Sequence, residues 1–288
     1  MGFLRDKAVV VSGSTRGIGK AMARHFIDLG ACVVVNGRNE SRVADTVDEF
    51  QKLGGTAIGS TGDVSRFSNC NQLIDDCISA YGRLDYLVNN AGISMEGDVA
   101  DLAPQVIQKV IETNLIGACY LTKAAIPHLK RSQGGVVFIG SCASFKGIPG
   151  YSAYCASKMA LNGFAESLKL ELQPFDVYVG IAQVGFTKND VEKKILGRSG
   201  HWVPQPERPF VQPESQESVA RQIAMMLQNR KANHVFGTIG KAASLLNRFA
   251  PSLYELILRR HYQKSNAAPA VESIDNDHGL PGQNFSNS

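Results

Sequence analysis

Long apolar runs are missing from this chain of 288 residues. No stretch approaches the roughly eighteen uninterrupted apolar residues that a bilayer-spanning helix needs. The start, Met1-Gly-Phe-Leu-Arg-Asp-Lys7, has no apolar core of the kind a secretory signal carries. The expectation is a cytoplasmic protein. Cysteine is sparse: Cys32, Cys70, Cys77, Cys119, Cys142 and Cys155 are scattered, with no Cys-x-x-Cys. That excludes a disulfide frame and reads as small buried side chains in a reducing compartment. The six histidines are equally dispersed, so no metal site is expected. A net charge of +4 gives no case for nucleic acid. The 44% apolar fraction suits one α/β domain with a full core.

Two stretches carry chemistry. In the first, the β-branched run Ala8-Val-Val-Val11 leads into Ser12-Gly-Ser-Thr-Arg-Gly-Ile-Gly19 and an apolar-periodic segment to Leu29, closed by Gly30. This reads as a buried strand, a tight turn and a helix. Gly13, Gly17 and Gly19 let the backbone approach a pyrophosphate at the helix N-terminus. The second stretch runs from Ser141 to Lys158, after the apolar strand Gly135-Val-Val-Phe-Ile-Gly140. Tyr154 and Lys158 are four apart and share one face of a helix. A nearby ammonium lowers a phenol's pKa and fits it for proton transfer. Taken alone, such a pair is more often surface packing. With Ser141 thirteen residues upstream and the glycine spacing G-x-x-x-G-x-G, the chain resembles the short-chain dehydrogenase/reductase family of the classical kind, over roughly residues 5–240.

The resemblance implies a Rossmann-type, doubly wound parallel sheet of seven strands with helices on both faces. It implies that Tyr154 is the general acid–base, that Lys158 tunes it and holds the nicotinamide ribose, and that Ser141 orients the substrate oxygen. Asn114, inside the helix expected over 104–131, takes a catalytic place in the proton relay; the alternative is an Asn bonded to local backbone. Cofactor contacts carry over to Gly13, Ser14, Arg16, Gly17, Ile18 and Gly19, to Asp63 and Val64 at the adenine, and to Asn90, Ala91 and Gly92 within Asn89-Asn-Ala-Gly92. Asp63 is also a candidate N-cap for the next helix. After the sixth strand the family has Pro-Gly-x-x-x-Thr. Here Val184 replaces Pro, Gly185 is kept and Asn189 stands where Thr is expected, so Gly185 and Thr187 are the contacts carried over. Dimers or tetramers are the family's usual assemblies.

Cofactor choice follows from the second strand, Cys32-Val-Val-Val-Asn36. An NAD site carries an acid near its end; Asn36-Gly-Arg38 has none. Arg16 and Arg38, each with a rigid donor fork, are placed for a 2′-phosphate, and NADP(H) is expected. The alternative is a pair of solvated loop arginines.

The substrate side is less regular. Residues 186–216 are rich in Pro and Gly, hold the sole tryptophan, Trp202, and are expected to form a lid. Met95, Phe145, Ile148, Tyr151 and Phe186 are candidate pocket walls, the alternative being that some pack in the core, and such a wall favours a hydrophobic lipid-, steroid- or aromatic-like carbonyl. The expected activity is NADP(H)-dependent ketone reduction, reversible to alcohol oxidation. The alternatives are a 3-oxoacyl-thioester reductase and, remotely, a non-catalytic NADP sensor. A final strand is expected over Val235–Ile239. Beyond residues 1–240, Leu245, Phe249, Leu253, Leu256 and Ile257 recur at helical spacing, with Pro251 suited to restarting the helix and Arg248, Arg259, Arg260 and Lys264 alongside. Such a basic amphipathic segment over 241–264 suits a membrane surface or a partner; packing on its own domain is the alternative. Residues 265–288 read as a disordered tail.

Overall fold

The computed structural model describes residues 2–188, 193–206 and 213–267. Strand and helix alternate from the start: β1 (Ala8–Val11), α1 (Gly17–Asp28), β2 (Cys32–Gly37), α2 (Glu40–Lys52), β3 (Thr56–Thr61), α3 (Phe67–Tyr81) and β4 (Tyr86–Asn89). The second half continues with α4 (Pro104–Ile111), α5 (Gly117–Ser132), β5 (Gly135–Ser141), α6 (Ser152–Leu172) and β6 (Tyr178–Val184). A hairpin of β7 (Lys194–Leu196) and β8 (Trp202–Pro204) follows, then α7 (Gln216–Gln228), β9 (Asn233–Val235), α8 (Thr238–Phe249) and α9 (Pro251–Ala267).

Seven strands form one parallel sheet in the order β3-β2-β1-β4-β5-β6-β9, the expected doubly wound arrangement. Because the central strands are buried on both faces, their side chains divide between two cores. Val9, Val11, Val33 and Val35 pack with Met22 and Phe26 of α1 and Ile223 of α7. Ala8, Val10, Val34 and Phe138 pack on the other face with residues of α3, α5 and α6. Phe138 meets Phe164 edge to face at 5.7 Å. Burying each large aliphatic or aromatic side chain contributes roughly 1.5–3 kcal/mol. The chain winds outward in both directions from β1 and β4, so a crevice opens between their C-terminal ends, the usual ligand position in such sheets.

Three expectations change. The last strand covers Asn233–Val235 and not 235–239, because Gly237 turns the chain at φ +69° and Thr238 starts a helix. The expected long helix over 104–131 is divided by a π turn at Glu112–Ile116. It also runs on through Pro127 to Ser132. The segment 241–264 is helical as expected, with α9 starting at Pro251, but Ser265 to Ala267, expected in the tail, belong to α9. Asn189 and the tail from 268 lie outside the described residues, as do parts of the expected lid.

Candidate active site

The glycine turn leaves β1 at the crevice. Gly13 (φ +63°) and Gly17 (φ +59°) occupy the left-handed region that glycine tolerates. A Cβ on Gly13 would lie 2.9 Å from the Ala91 Cα, and one on Gly19 would collide with the Gly13 carbonyl oxygen and Asn90 Nδ2. The turn is fastened from both sides. Asn90 Nδ2 donates to the carbonyls of Ser12 (2.9 Å) and Gly13 (3.0 Å). The main-chain amides of Asn90 and Ala91 donate to Ser12 Oγ. From β2, Asn36 Oδ1 accepts from the Gly13 amide (3.2 Å), and Ser14 Oγ accepts from the Asn36 amide (3.0 Å). Asn36 was not anticipated in this role. A buried Asn closing a run of valines was the available signal. Ile18 is partly buried behind the turn and packs on the core around Val9 and Phe26.

Arg16 immediately precedes α1 and is exposed; Arg38 follows β2 and is exposed. Arg38 Nη1 stands 4.0 Å from Asp63 Oδ2, a loose surface pair of little energetic weight. Asp63 Oδ1 accepts from the amide and hydroxyl of Ser65, so it makes a local turn, while α3 begins only at Phe67. Val64 is buried against Gly117 at the start of α5. At Gly37, where an NAD site carries its acid, a Cβ would lie 2.7 Å from Thr15 Cγ2, so the Thr15 side chain would have to shift to admit one. A charged groove of about 730 Å³ lies beside the turn, walled in part by Arg16, Lys20, Glu49 and Arg221. None of Ser141, Tyr154 or Lys158 lines it.

Tyr154 and Lys158 lie in the first turns of α6. Lys158 is buried, and its Nζ donates to the Ile139 carbonyl (2.7 Å) and stands 5.8 Å from the Tyr154 ring centroid. Burial disfavours its charged form and pulls its pKa down to about 8. Gly92 is adjacent: a Cβ there would be 3.2 Å from Asn114 Oδ1 and 3.7 Å from Lys158 Nζ. Asn114 occupies the π turn, a feature frequent at functional sites. Its Oδ1 accepts from the Ile93 amide (2.8 Å), and its Nδ2 donates to the Ile93 carbonyl (2.9 Å) and Ser157 Oγ (3.0 Å). Ser157 Oγ donates in turn to the Tyr154 carbonyl (2.7 Å). The side chain of Asn114 therefore clamps the segment after β4 to the Tyr154 helix.

Ser141 ends β5. Its Oγ accepts from the Ala143 amide (3.2 Å), which leaves its own proton available. Its amide donates to Gln183 Oε1 (3.1 Å), which also accepts from Ser144 Oγ (2.6 Å). Gln183 Nε2 donates to Asn162 Oδ1 (2.7 Å), one turn beyond Lys158 on α6. Gln183 thus ties Ser141 to the helix bearing Tyr154, a link sequence reading missed because it joins residues far apart in the chain. Gly185 sits close under Phe236 and Cys142. Thr187 pairs in a β-bridge with Glu214, and its Oγ1 is buried with no hydrogen-bond partner among the described residues. Such an orphan hydroxyl, with the close-approach glycines, fits a dinucleotide lying across the crevice.

Tyr154 packs against an apolar cluster of Ile93, Met95, Leu102, Val106, Val110, Ala153 and Leu196. The hairpin is tied over it: the Leu196 amide donates to Ser94 O and the Glu96 amide to Leu196 O, both at 2.9 Å. Met95 is wholly buried and belongs to this packing, a correction to its expected place on the pocket wall. Phe145, Ile148 and Tyr151 are half-buried, while Phe186 and Trp202 stand exposed.

Fold and site together define an α/β dinucleotide-binding protein with a Tyr–Lys pair at the crevice. The family model for short chain dehydrogenases matches residues 7–198. An 11-beta-hydroxysteroid dehydrogenase-like 4A of Arabidopsis thaliana is 35% identical over 207 residues, covering 69% of this chain and 67% of that protein. The Dehydrogenase/reductase SDR family member 7B of Xenopus laevis is 31% identical over 274 residues, 92% of this chain and 85% of its own. A crystal structure of a dehydrogenase/reductase from Sinorhizobium meliloti 1021 superposes with a TM-score of 0.71 at 26% identity, over 80% of this chain and 92% of that one. The chain belongs to the classical short-chain dehydrogenase/reductase family, oxidoreductases that use nicotinamide cofactors.

Proposed function

We propose that the protein is an NADP(H)-dependent reductase of hydrophobic ketones, reversible to oxidation of the secondary alcohol. One observation carries the reading: a buried ammonium, Lys158, stands beside Tyr154 on one helix face and is hydrogen-bonded to Ile139 of β5, the strand that Ser141 ends. Bound at the glycine turn, the nicotinamide cofactor supplies the hydride donor or acceptor. Gly13, Gly17 and Gly19 admit its pyrophosphate, with Ser14, Ile18, Asn90, Ala91 and Gly92 framing the cradle. Arg16 and Arg38 hold the 2′-phosphate where Gly37 supplies no acid. Asp63 and Val64 border the adenine; Gly185 and the Thr187 hydroxyl meet the nicotinamide end.

In reduction, the Ser141 hydroxyl donates to the substrate oxygen, and Tyr154 passes its phenolic proton to that oxygen as charge develops on it. The Lys158 ammonium stabilises the phenolate left behind. Asn114 holds Ile93 and Ser157 in register around them, and in this reading its main chain, in the π turn, serves the relay that returns the proton. The half-buried Phe145, Ile148 and Tyr151 before Tyr154 and the exposed Phe186 and Trp202 favour a lipid- or steroid-like carbonyl, and some relatives are named as 11-beta-hydroxysteroid dehydrogenases. Assembly into dimers or tetramers would use the outer faces of α5 and α6, where Tyr120 and Met159 are exposed. The test is cofactor oxidation by the purified protein over aliphatic, aromatic, steroid and acyl-thioester ketones, with NADPH and NADH side by side. Turnover of a hydrophobic ketone with NADPH preferred by tenfold or more is expected. Equal use of both cofactors sinks the phosphate assignment, and no turnover of any ketone sinks the activity.

A further inference from the structure

The helical pair α8–α9 has two unlike sides. Inward, Leu246, Tyr254 and Leu258 are half-buried, and Gly240 is buried with Cys142 Sγ so close that a Cβ would stand 2.7 Å from it. Outward, Leu245, Phe249, Leu253, Leu256 and Ile257 are between 42% and 74% exposed, on both sides of the Ala250-Pro251 corner. In α9, Leu253, Leu256, Ile257 and Arg260 share one face by their i, i+3, i+4, i+7 spacing. An apolar face of this size on a folded domain marks an interaction site.

The charge around that face is of one sign. Lys241, Arg248, Arg259 and Arg260 are exposed along the pair, and the Arg248 guanidinium lies 5.5 Å from the Phe249 ring at the corner. The sole carboxylate of the described pair, Glu255, is already neutralised by Lys146 (2.9 Å). A second copy presenting the same face would set arginine against arginine, with no unpaired acid to answer it. An anionic lipid surface answers both features, taking the apolar side chains below the headgroups and the arginines among them.

The position of the face is set by contacts to the site's own loops. Tyr262 Oη donates to Asp98 Oδ2 (2.5 Å), in the loop after β4, and the Lys146–Glu255 pair reaches the loop between Ser141 and Tyr154. Cys142, next in sequence to Ser141, lies against Gly240 at the start of α8. We propose that the outer face of α8–α9 docks on an anionic lipid surface and holds the mouth of the Tyr154 site against it. The docking stands on the helices alone. Delivery of a lipophilic carbonyl from the bilayer rests on the reductase reading.

The experiment uses the full chain, sedimented with vesicles of phosphatidylcholine containing phosphatidylserine, with pure phosphatidylcholine as control. Two variants are compared: Phe249→Asp with Leu253→Asp, and Arg248→Glu with Arg259→Glu and Arg260→Glu. All substituted side chains are exposed, so the melting temperature should hold. Wild type is expected to partition to the anionic vesicles, each variant at least tenfold less, while reduction of a water-soluble ketone stays unchanged in all three. Absence of wild-type binding, or binding unaltered in both variants, overturns the proposal. So does a dimer that the variants split without any vesicle binding. If vesicles are bound as described but no ketone is reduced, the reductase reading fails and the docking face stands.

Discussion

Lys158→Met separates the two roles of a buried charge. In the folded protein the ammonium titrates near pH 8, against 10.5 for an ordinary lysine. At 1.36 kcal/mol per tenfold change, holding it charged at neutral pH costs the fold about 3 kcal/mol. Met matches the stem and removes that cost. It also removes the hydrogen bond to the Ile139 carbonyl, a charged bond contributing about 1.5–3 kcal/mol. The difference leaves the variant equal to wild type or up to about 2 kcal/mol more stable at pH 7. The sign with pH follows from the depressed value. Above the unfolded value both states are neutral and no penalty remains; as pH falls toward the folded value the penalty grows to its full size. Wild type should therefore gain stability between pH 8 and 10.5, and Lys158→Met should lack that gain. Denaturant unfolding at pH 7 and pH 10, without added cofactor, measures it. Turnover should fall by about 10²–10⁴. A variant that loses more than about 3 kcal/mol at pH 7, or has wild type's pH slope, refutes the reasoning.

Three other perturbations reach different parts of the account. Gln183→Leu leaves the buried Ser141 amide without its side-chain acceptor and should lower kcat by about tenfold or more, since an unsatisfied buried group costs roughly 1–3 kcal/mol; a kcat within about twofold of wild type in steady-state kinetics would show that the link to Ser141 is not what matters. Arg38→Asp should lower NADPH efficiency relative to NADH by tenfold or more, and unchanged selectivity in steady-state kinetics would remove Arg38 from the phosphate site. Phe138→Ala, which opens a cavity beneath Phe164, should cost about 3–5 kcal/mol in chemical denaturation.

What the sequence disclosed and what it hid divide along contact distance. Gly13, Gly17 and Gly19 follow a valine run and open a helix, so the nucleotide turn is written within a dozen residues. Tyr154 and Lys158 share a helix face by spacing alone. Strand alternation was equally legible, although the apolar reading carried the last strand past Gly237, whose left-handed backbone ends it. The links between segments were not legible. Asn114 to Ile93, Gln183 to Ser141 and Asn162, and Lys158 to Ile139 join residues 19 to 42 positions apart. The β7–β8 hairpin was hidden for a similar reason: its strands of three residues are too short for a period, and they are fixed by main-chain bonds to Ser94 and Glu96. Thr15 facing Gly37 is the same kind of fact; the sequence showed a missing acid, and the packing shows the Thr15 side chain lying against that place.

Proton transfer by Tyr154 is the claim on which the chemistry turns. Its most direct test is NADPH oxidation with one hydrophobic ketone, wild type against Tyr154→Phe, with NADPH binding followed in parallel through the fluorescence of Trp202. The account predicts a fall in turnover of about 10²–10⁴ with NADPH affinity held within a few fold. A phenylalanine variant that keeps a tenth or more of wild-type turnover contradicts it.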